Sequence, residues 1–476
     1  MRFDDIPVMA GGAPLLGHIP DIAEDRLAFV RRVEREVDRM ARIQTIGTAV
    51  FVNHPEVLQE ALVDKARSFE KSSMTRYALY PLAGEGLFTS RGELWRRQRR
   101  LMAPMFHPAQ LRTYAADLVA CAERVVAGFE DGATIELARE TTRITMGVAG
   151  KTLFDADTFS EADAIGEALT VALEWTSAHS PSVSAIAHLV VARTLRELGG
   201  RVGSNLASSA AARLEQPLVL TGRDGRALRS AVKLLDEQVQ RMIDARRRAV
   251  SPHADLLSKL LAARDEDDGT AMSDKQVRDE VLTLFVAGHE TTATGLAWSV
   301  HCLCNHPDVY AAVQREVDAL DGDPTFEDLP RLSLTLRVFK EALRLYPPVY
   351  FFARQAIEDT SLDGHDVPRD TVVLISPHAL HRRPDVFADP ERFDPDRFLS
   401  EAEAGRHKLA WLPFGAGPRV CIGNHFAMME AQLVLAKMLR HASFRAVGVE
   451  APHPSATLRP AHGMKMKVHL RQRRSA

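Results

Sequence analysis

Phe414-Gly415-Ala416-Gly417-Pro418-Arg419-Val420-Cys421-Ile422-Gly423 is the stretch that decides how the rest of this 476-residue chain is read. Cysteine ligates metal as the thiolate, and a thiolate held inside a protein needs hydrogen-bond donors nearby and little bulk around it. The run offers both. Gly417 and Gly423 carry no Cβ to block a close approach to Cys421, and they allow turns in which backbone N–H groups face the sulfur. Arg419, two residues ahead of the cysteine, is a permanent cation suited to holding a carboxylate.

Upstream, a second chemistry lies on one long helix. Ser273 with Gln276 three residues later forms the pattern of a capping box, and the apolar run Val281-Leu282-Thr283-Leu284-Phe285-Val286 continues toward Asn305-His306-Pro307, where the helix stops. About thirty residues at 1.5 Å per residue make a rod of roughly 45 Å, long and apolar enough to cross the interior. Its middle, Ala287-Gly288-His289-Glu290-Thr291-Thr292, breaks the apolar pattern. Thr291 stands four residues after Ala287, so its hydroxyl competes for the Ala287 carbonyl and loosens the helical ladder, while Ala287 and Gly288 leave space beside it. A carboxyl next to a hydroxyl can relay protons. His289-Glu290 also begins like a His-Glu-x-x-His zinc site, but residue 293 is alanine. His301, Cys302, Cys304 and His306 fit no zinc spacing and point in different directions from a helix, so they read as core and boundary residues.

The run around Cys421, written Phe-x-x-Gly-x-Arg-x-Cys-x-Gly, resembles the haem-binding signature of the cytochrome P450 family, and Ala287 to Thr291 resembles that family's Ala-Gly-x-acid-Thr segment over the oxygen-binding face. The resemblance extends from Pro14-Leu15-Leu16-Gly17-His18 through Met428. It implies a mainly α fold with a small β portion, a single domain over residues 1–476, and a long central helix crossing over the cofactor. That cofactor is haem b, iron protoporphyrin IX, with the Cys421 thiolate as axial ligand and Phe414, Gly417, Gly423, Ala287 and Gly288 among the residues that surround it. Glu290 and Thr291 are then the proton-delivering pair. Trp95 and Arg99 match the family's Trp-x-x-x-Arg, and with Arg419, Arg354 and His381 they are the expected partners of the haem propionates. Glu341-Ala342-Leu343-Arg344 matches the family's Glu-x-x-Arg, which a distant arginine completes. Arg392 and Arg397 both sit in suitable contexts, and the distance to Cys421 favours Arg397.

The resemblance implies a haem-thiolate monooxygenase that hydroxylates or epoxidises an apolar small molecule with O2 and two electrons from a ferredoxin- or flavodoxin-type donor and its reductase. The roughly fifty residues after Cys421 leave no room for a fused reductase. Tyr77, Tyr80, Leu82, Phe88, Phe285, Val349, Tyr350, Phe351 and Phe352 are the expected pocket, fitting a lipid, terpenoid or steroid-like substrate, under a mobile lid from Ala185 to Gln216. Arg96, Arg97 and Arg100 are expected to help dock an acidic electron donor. A peroxide-driven member of the same fold, a haem-binding sensor and a non-haem metalloprotein are the competing readings.

Bulk properties agree. A net charge of −3 gives no support for a nucleic-acid partner. Four irregularly spaced cysteines form no disulfide framework, no basic-then-apolar leader opens the chain, and no apolar run is long enough to span a membrane, which together predict a cytoplasmic location. Beyond the central helix, amphipathic patterns predict helices over Leu111–Gly128, Leu228–Val250 and Pro307–Leu320. Strands are expected on both sides of Gly47 within Ala41–Val52 and over Thr371–Ser376, and Asp265 to Gly269 reads as a solvated loop.

Overall fold

The computed structural model describes residues 1–45, 47–155, 162–179, 183–202, 205–214, 216–217, 222–248, 255–264 and 269–471. Helices dominate, and the strands are short and gathered into small sheets. The amphipathic segments fold as helices Pro108–Val126, Arg223–Arg248 and Pro307–Asp318. Residues 249–250 of the second segment and 265–268 of the acidic loop lie outside the described residues.

Helix Asp274–Cys304 is the spine. The capping box forms as read: the Ser273 hydroxyl accepts from the Gln276 amide at 3.2 Å, and the Gln276 side chain accepts from the Ser273 amide at 2.9 Å. Burial along the helix is nearly continuous, which an amphipathic surface helix would not show. It packs against Leu137–Val148 on one side and Ser333–Leu345 on another. Gly295 sets the second contact, because a Cβ there would stand 2.7 Å from Phe339. Trp298 stacks on Tyr346 with ring centroids 3.9 Å apart.

The largest sheet runs in the order Met40–Arg42, Ala49–Val52, Val372–Ile375, Phe352–Ala356, Phe69–Lys71, and only the pairing of Ala49–Val52 with Val372–Ile375 is parallel. Its register places Lys71 opposite Arg354. Like charges facing each other across a sheet repel, so this pair conflicts with a purely structural sheet.

Two helices fill the expected lid, Val183–Val202 and Asn205–Leu214. Tyr77, from helix Ser73–Ala83, reaches the first of them, its hydroxyl 2.8 Å from His188 Nδ1, and the Tyr80 hydroxyl accepts from the side-chain amide of Gln216, beyond the second, at 2.9 Å.

Candidate active site

The cysteine loop is built by local closure. The Cys421 amide donates to the Phe414 carbonyl at 2.9 Å and the Val420 amide to the Gly417 carbonyl at 3.0 Å, folding the run back on itself before helix Asn424–His441 begins. Gly417 has a φ of +66°, and a Cβ there would lie 1.7 Å from the Leu62 carbonyl oxygen, so only glycine fits. Gly423 acts differently from Gly417. It precedes the helix, and its backbone N–H is directed at the Cys421 sulfur, stabilising the thiolate. Cys421 has accessible surface, yet burial pushes its thiol pKa up. That accessible surface therefore faces an internal cleft bounded by protein. Arg99 and Lys71 pull the thiol in the opposite direction.

Cations collect beside the cysteine. Arg99 donates to the Val420 carbonyl at 2.9 Å. Arg419 donates to the Ser90 carbonyl at 3.1 Å and lies over the Trp95 ring, 3.8 Å from its centroid. Arg354 is buried and donates only to the neighbouring Ala353 carbonyl, and burial lowers its pKa to about 10. Lys71 donates to the Phe88 carbonyl at 2.6 Å and sits 4.3 Å above the Phe88 ring; burial drives its pKa well below the usual lysine range. Among the described residues no carboxylate pairs with Arg354, Lys71 or Arg99, and Arg419 has only Glu70 at 3.9 Å. Uncompensated buried cations are costly unless an anion completes them. A cofactor carrying two carboxylates supplies that anion.

His381 corrects the expected set. It is fully buried at the other end of the cysteine loop, where Nε2 accepts from the Leu412 amide at 2.8 Å and Nδ1 lies 3.2 Å from the Arg344 carbonyl. Both nitrogens are committed and burial keeps the ring neutral, so it has no donor for a propionate. Lys71 is a further basic residue beside the cysteine. Its sequence context carried no motif, and its only local signal was a lysine beside an arginine in strand register, which needs the pairing to be known.

The Glu341 cluster ties the loop to the core. Arg344 Nε and Nη2 donate to the two Glu341 oxygens at 2.7 and 2.8 Å, and both side chains are fully buried. Arg344 also donates to the carbonyls of His381, Pro390 and Arg392. The arginine that completes the cluster is Arg397, with Nε 3.5 Å from Glu341 Oε1; Arg392 contributes its backbone alone.

On the central helix, accessible surface reappears within a short window. Val286, Ala287, Gly288, Glu290 and Thr291 are half-buried, whereas the residues on either side are buried. Thr291 donates to the Ala287 carbonyl at 2.6 Å, and a Cβ on Gly288 would meet nothing within 4 Å. Glu290 accepts from the Thr457 hydroxyl at 2.9 Å, and burial raises its pKa. His289 points elsewhere: its Nδ1 lies 3.0 Å from the Phe285 carbonyl, and burial lowers its pKa to about 4. Two further buried acids escaped sequence reading. Glu280 accepts from the Leu87 amide at 2.9 Å, and Glu430, seven residues into helix Asn424–His441, bonds to Thr292; burial raises both to about 8.

Some expected pocket residues are spent on packing. Leu82 is buried in the core, Phe285 stacks on Phe154 at 4.6 Å, and the Tyr350 hydroxyl donates to the Ser455 carbonyl at 3.0 Å. Phe352 lies beneath Arg354, 4.9 Å from its guanidinium, and Phe351 packs against Phe51. The His301 to His306 segment is tied into the core, with Cys304 Sγ 3.3 Å from the Phe444 carbonyl and His306 Nδ1 2.8 Å from the Cys302 carbonyl. Of the three arginines beyond Arg99, Arg97 is bonded to Thr270 and Arg96 to Glu93.

Residues 7–468 match the family model described as Cytochrome P450. Cyclooctatin synthase of Streptomyces melanosporofaciens is 35% identical over 463 residues, covering 96% of this chain and 93% of that protein. Cyclooctat-9-en-7-ol 5-monooxygenase of the same organism is 35% identical over 450 residues, covering 94% and 90%, and pentalenene oxygenase of Streptomyces avermitilis is 33% identical over 473 residues, covering 97% and 96%. The crystal structure of the cytochrome P450DA heme domain superposes with a TM-score of 0.81 at 27% identity, covering 98% of each chain. The chain belongs to the cytochrome P450 family. It is a haem-thiolate monooxygenase, and Cys421 is the cysteine that ligates the iron.

Proposed function

We propose that this cytochrome P450 inserts one oxygen atom of O2 into an apolar cyclic hydrocarbon of terpenoid type and releases the other as water, taking two electrons from separate ferredoxin- or flavodoxin-type proteins and two protons from solvent. The observation that carries the reading is the accessible window at Val286–Gly288, Glu290 and Thr291 on an otherwise buried helix. Apolar side chain, open space at Gly288, a carboxyl and a hydroxyl lie within two helical turns. The names of two relatives specify an alkene or alkenol skeleton as what those proteins oxygenate, which supports the substrate class.

When bound, the haem supplies the activation of O2. The chain's own groups do the rest. Cys421 would be the thiolate ligand supplying electron density to the iron, with the Gly423 amide and Arg99 tempering its charge. Arg99, Arg354, Arg419 and Lys71 hold the propionates, and Trp95 fixes Arg419 by stacking. Glu290 takes up protons, and Thr291, whose own hydrogen is engaged by the Ala287 carbonyl, offers its oxygen as the acceptor that orients the proton path beside it. The exposed Arg96 and Arg100 flank the surface we assign to the electron donor.

The test combines two measurements. Titration of the ferric protein with cyclic terpenes, fatty acids and steroids is expected to give a high-spin Soret shift with the terpenes first; a shift only with fatty acids would replace the substrate class. Thr291→Ala is expected to leave haem binding intact while cutting product per electron pair by roughly tenfold or more, with hydrogen peroxide taking up the difference. Parental yield in that variant removes the relay role.

A further inference from the structure

Glu290 is held from outside its own helix. Its Oε1 accepts from Thr457 Oγ1 at 2.9 Å, and its Oε2 has no hydrogen-bond partner among the described residues. Thr457 lies in the turn of the hairpin that pairs Pro452–Pro454 with Leu458–Pro460, and only 6% of its surface is accessible. The turn is pinned on all sides. Trp298 Nε1, on the central helix, donates to the Leu458 carbonyl at 3.0 Å; the Leu458 amide donates to the Pro348 carbonyl at 2.9 Å. The Tyr350 hydroxyl and the Ser455 amide close it further, each bond 3.0 Å long. The helix that carries Glu290 therefore also anchors, through Trp298, the hairpin that carries its partner.

We propose that Thr457 is a positioning residue for the proton-delivering acid: it fixes Glu290 Oε1 by donation and leaves Oε2 as the single oxygen that takes up and releases the proton. The proposal rests on the relay reading of Glu290. A fixed oxygen next to a free one gives the carboxyl one proton-exchange geometry, where an untethered buried glutamate would sample several rotamers. Donation to Oε1 also favours the ionised form, offsetting the burial that raises its pKa. The charged groups that act on it come from other elements. Arg459, two residues beyond Thr457 on the hairpin, stabilises the carboxylate, and Glu174 of helix Ala162–His179, bonded to Arg459, opposes it. On its own helix His289 is neutral, and Glu430 of helix Asn424–His441 bonds to Thr292, next along from Thr291. The Glu174–Arg459 pair thus links the acid to a helix adjoining the lid.

The experiment uses the haem-loaded protein and reads the Glu290 carboxyl stretch by infrared difference spectroscopy across a pH series, assigned by its loss in Glu290→Gln. Thr457→Val is expected to raise the midpoint of that band, Thr457→Ser to restore it, and Glu174→Gln to lower it. Product per electron pair should fall a few-fold in Thr457→Val and recover in Thr457→Ser. The carbonyl-ferrous spectrum of thiolate-ligated haem checks that each variant is folded. A Thr457→Val midpoint equal to the parent's, in a protein that Glu290→Gln uncouples, overturns the role given to Thr457. Unchanged coupling in Glu290→Gln overturns the relay reading itself, whatever the band does.

Discussion

Around Cys421 the protein buries cations without acids; at Glu280 and Glu290 on the central helix, and at Glu430 beside it, it buries acids without cations. Lys71, Arg99, Arg354 and Arg419 have Glu70 at 3.9 Å from Arg419 as their nearest carboxylate, whereas Glu280, Glu290 and Glu430 have no ion-pair partner among the described residues. Either surplus would be a defect in a structural core. The two differ in what completes them. The cationic side lacks an anion, which the propionates of a bound haem would supply. On the acidic side desolvation raises the pKa of each carboxyl, to about 8 at Glu280 and Glu430, against hydrogen bonds from Leu87, Thr457 and Thr292. One face is therefore short of anions and the other short of cations.

The most damaging way to break this arrangement lies beneath the cationic side. Arg344→Ala removes both charge-assisted bonds to the fully buried Glu341 carboxylate, leaving it Arg397 at 3.5 Å and the Asp394 amide, and frees the carbonyls of His381, Pro390 and Arg392, at a cost of about 3–5 kcal/mol. Chemical denaturation and the fraction of protein recovered with haem should both register it. A variant as stable as the parent would mean that the cluster is solvated in solution.

Next in size, Arg354→Leu should separate haem binding from folding. Loss of a charge-assisted bond weakens haem retention by roughly 1.5–3 kcal/mol. The apoprotein should be at least as stable as the parent, because an unpaired buried cation has gone. Haem transfer to apomyoglobin measures the first effect and thermal unfolding of the apoprotein the second. Equal destabilisation of both forms would show that Arg354 serves packing alone.

The acidic side is sharpened by pH. Glu280 has a folded pKa raised to about 8 from its ordinary 4.5, so the folded chain keeps a proton that the unfolded chain loses. Its contribution to stability is fully present below about 4.5 and is lost as the pH rises through about 8. Glu280→Gln keeps an oxygen for the Leu87 amide and should flatten the decline in stability across that window. Denaturation midpoints at several pH values test this, and parallel curves for the two proteins would refute it.

The smallest effect belongs to the surface. Arg100→Glu should slow reduction by an acidic donor a few-fold at low salt and scarcely at high salt. Stopped-flow reduction at two ionic strengths measures it, and a rate indifferent to both changes would move the docking surface elsewhere.

The outcome at individual residues shows what a motif can carry. Cys421, Arg419 and the Gly423 amide come together because they are covalent neighbours in a loop closed by its own backbone. The Ser273–Gln276 capping box and the Thr291–Ala287 bond were legible for the same reason, since helical periodicity turns sequence offset into distance. His381 was misplaced because one histidine in a loop has no period to orient it, and its partners Arg344 and Leu412 are 37 and 31 positions away. The choice between Arg392 and Arg397 also needed the fold, which brings Arg397 to Glu341 and turns only the backbone of Arg392 inward.

By itself the sequence determined the family, the iron-ligating cysteine, the long buried helix and its acid–alcohol pair, all of which rest on interactions within about one helical turn or one loop. Tertiary structure alone decided that Lys71 faces Arg354 across a sheet, that His381 braces the loop instead of the cofactor, and that Thr457 reaches Glu290 across 167 positions. The physical reason is that strand register and hairpin docking are set by the packing of the whole core, so the distances they create between side chains have no counterpart in residue spacing.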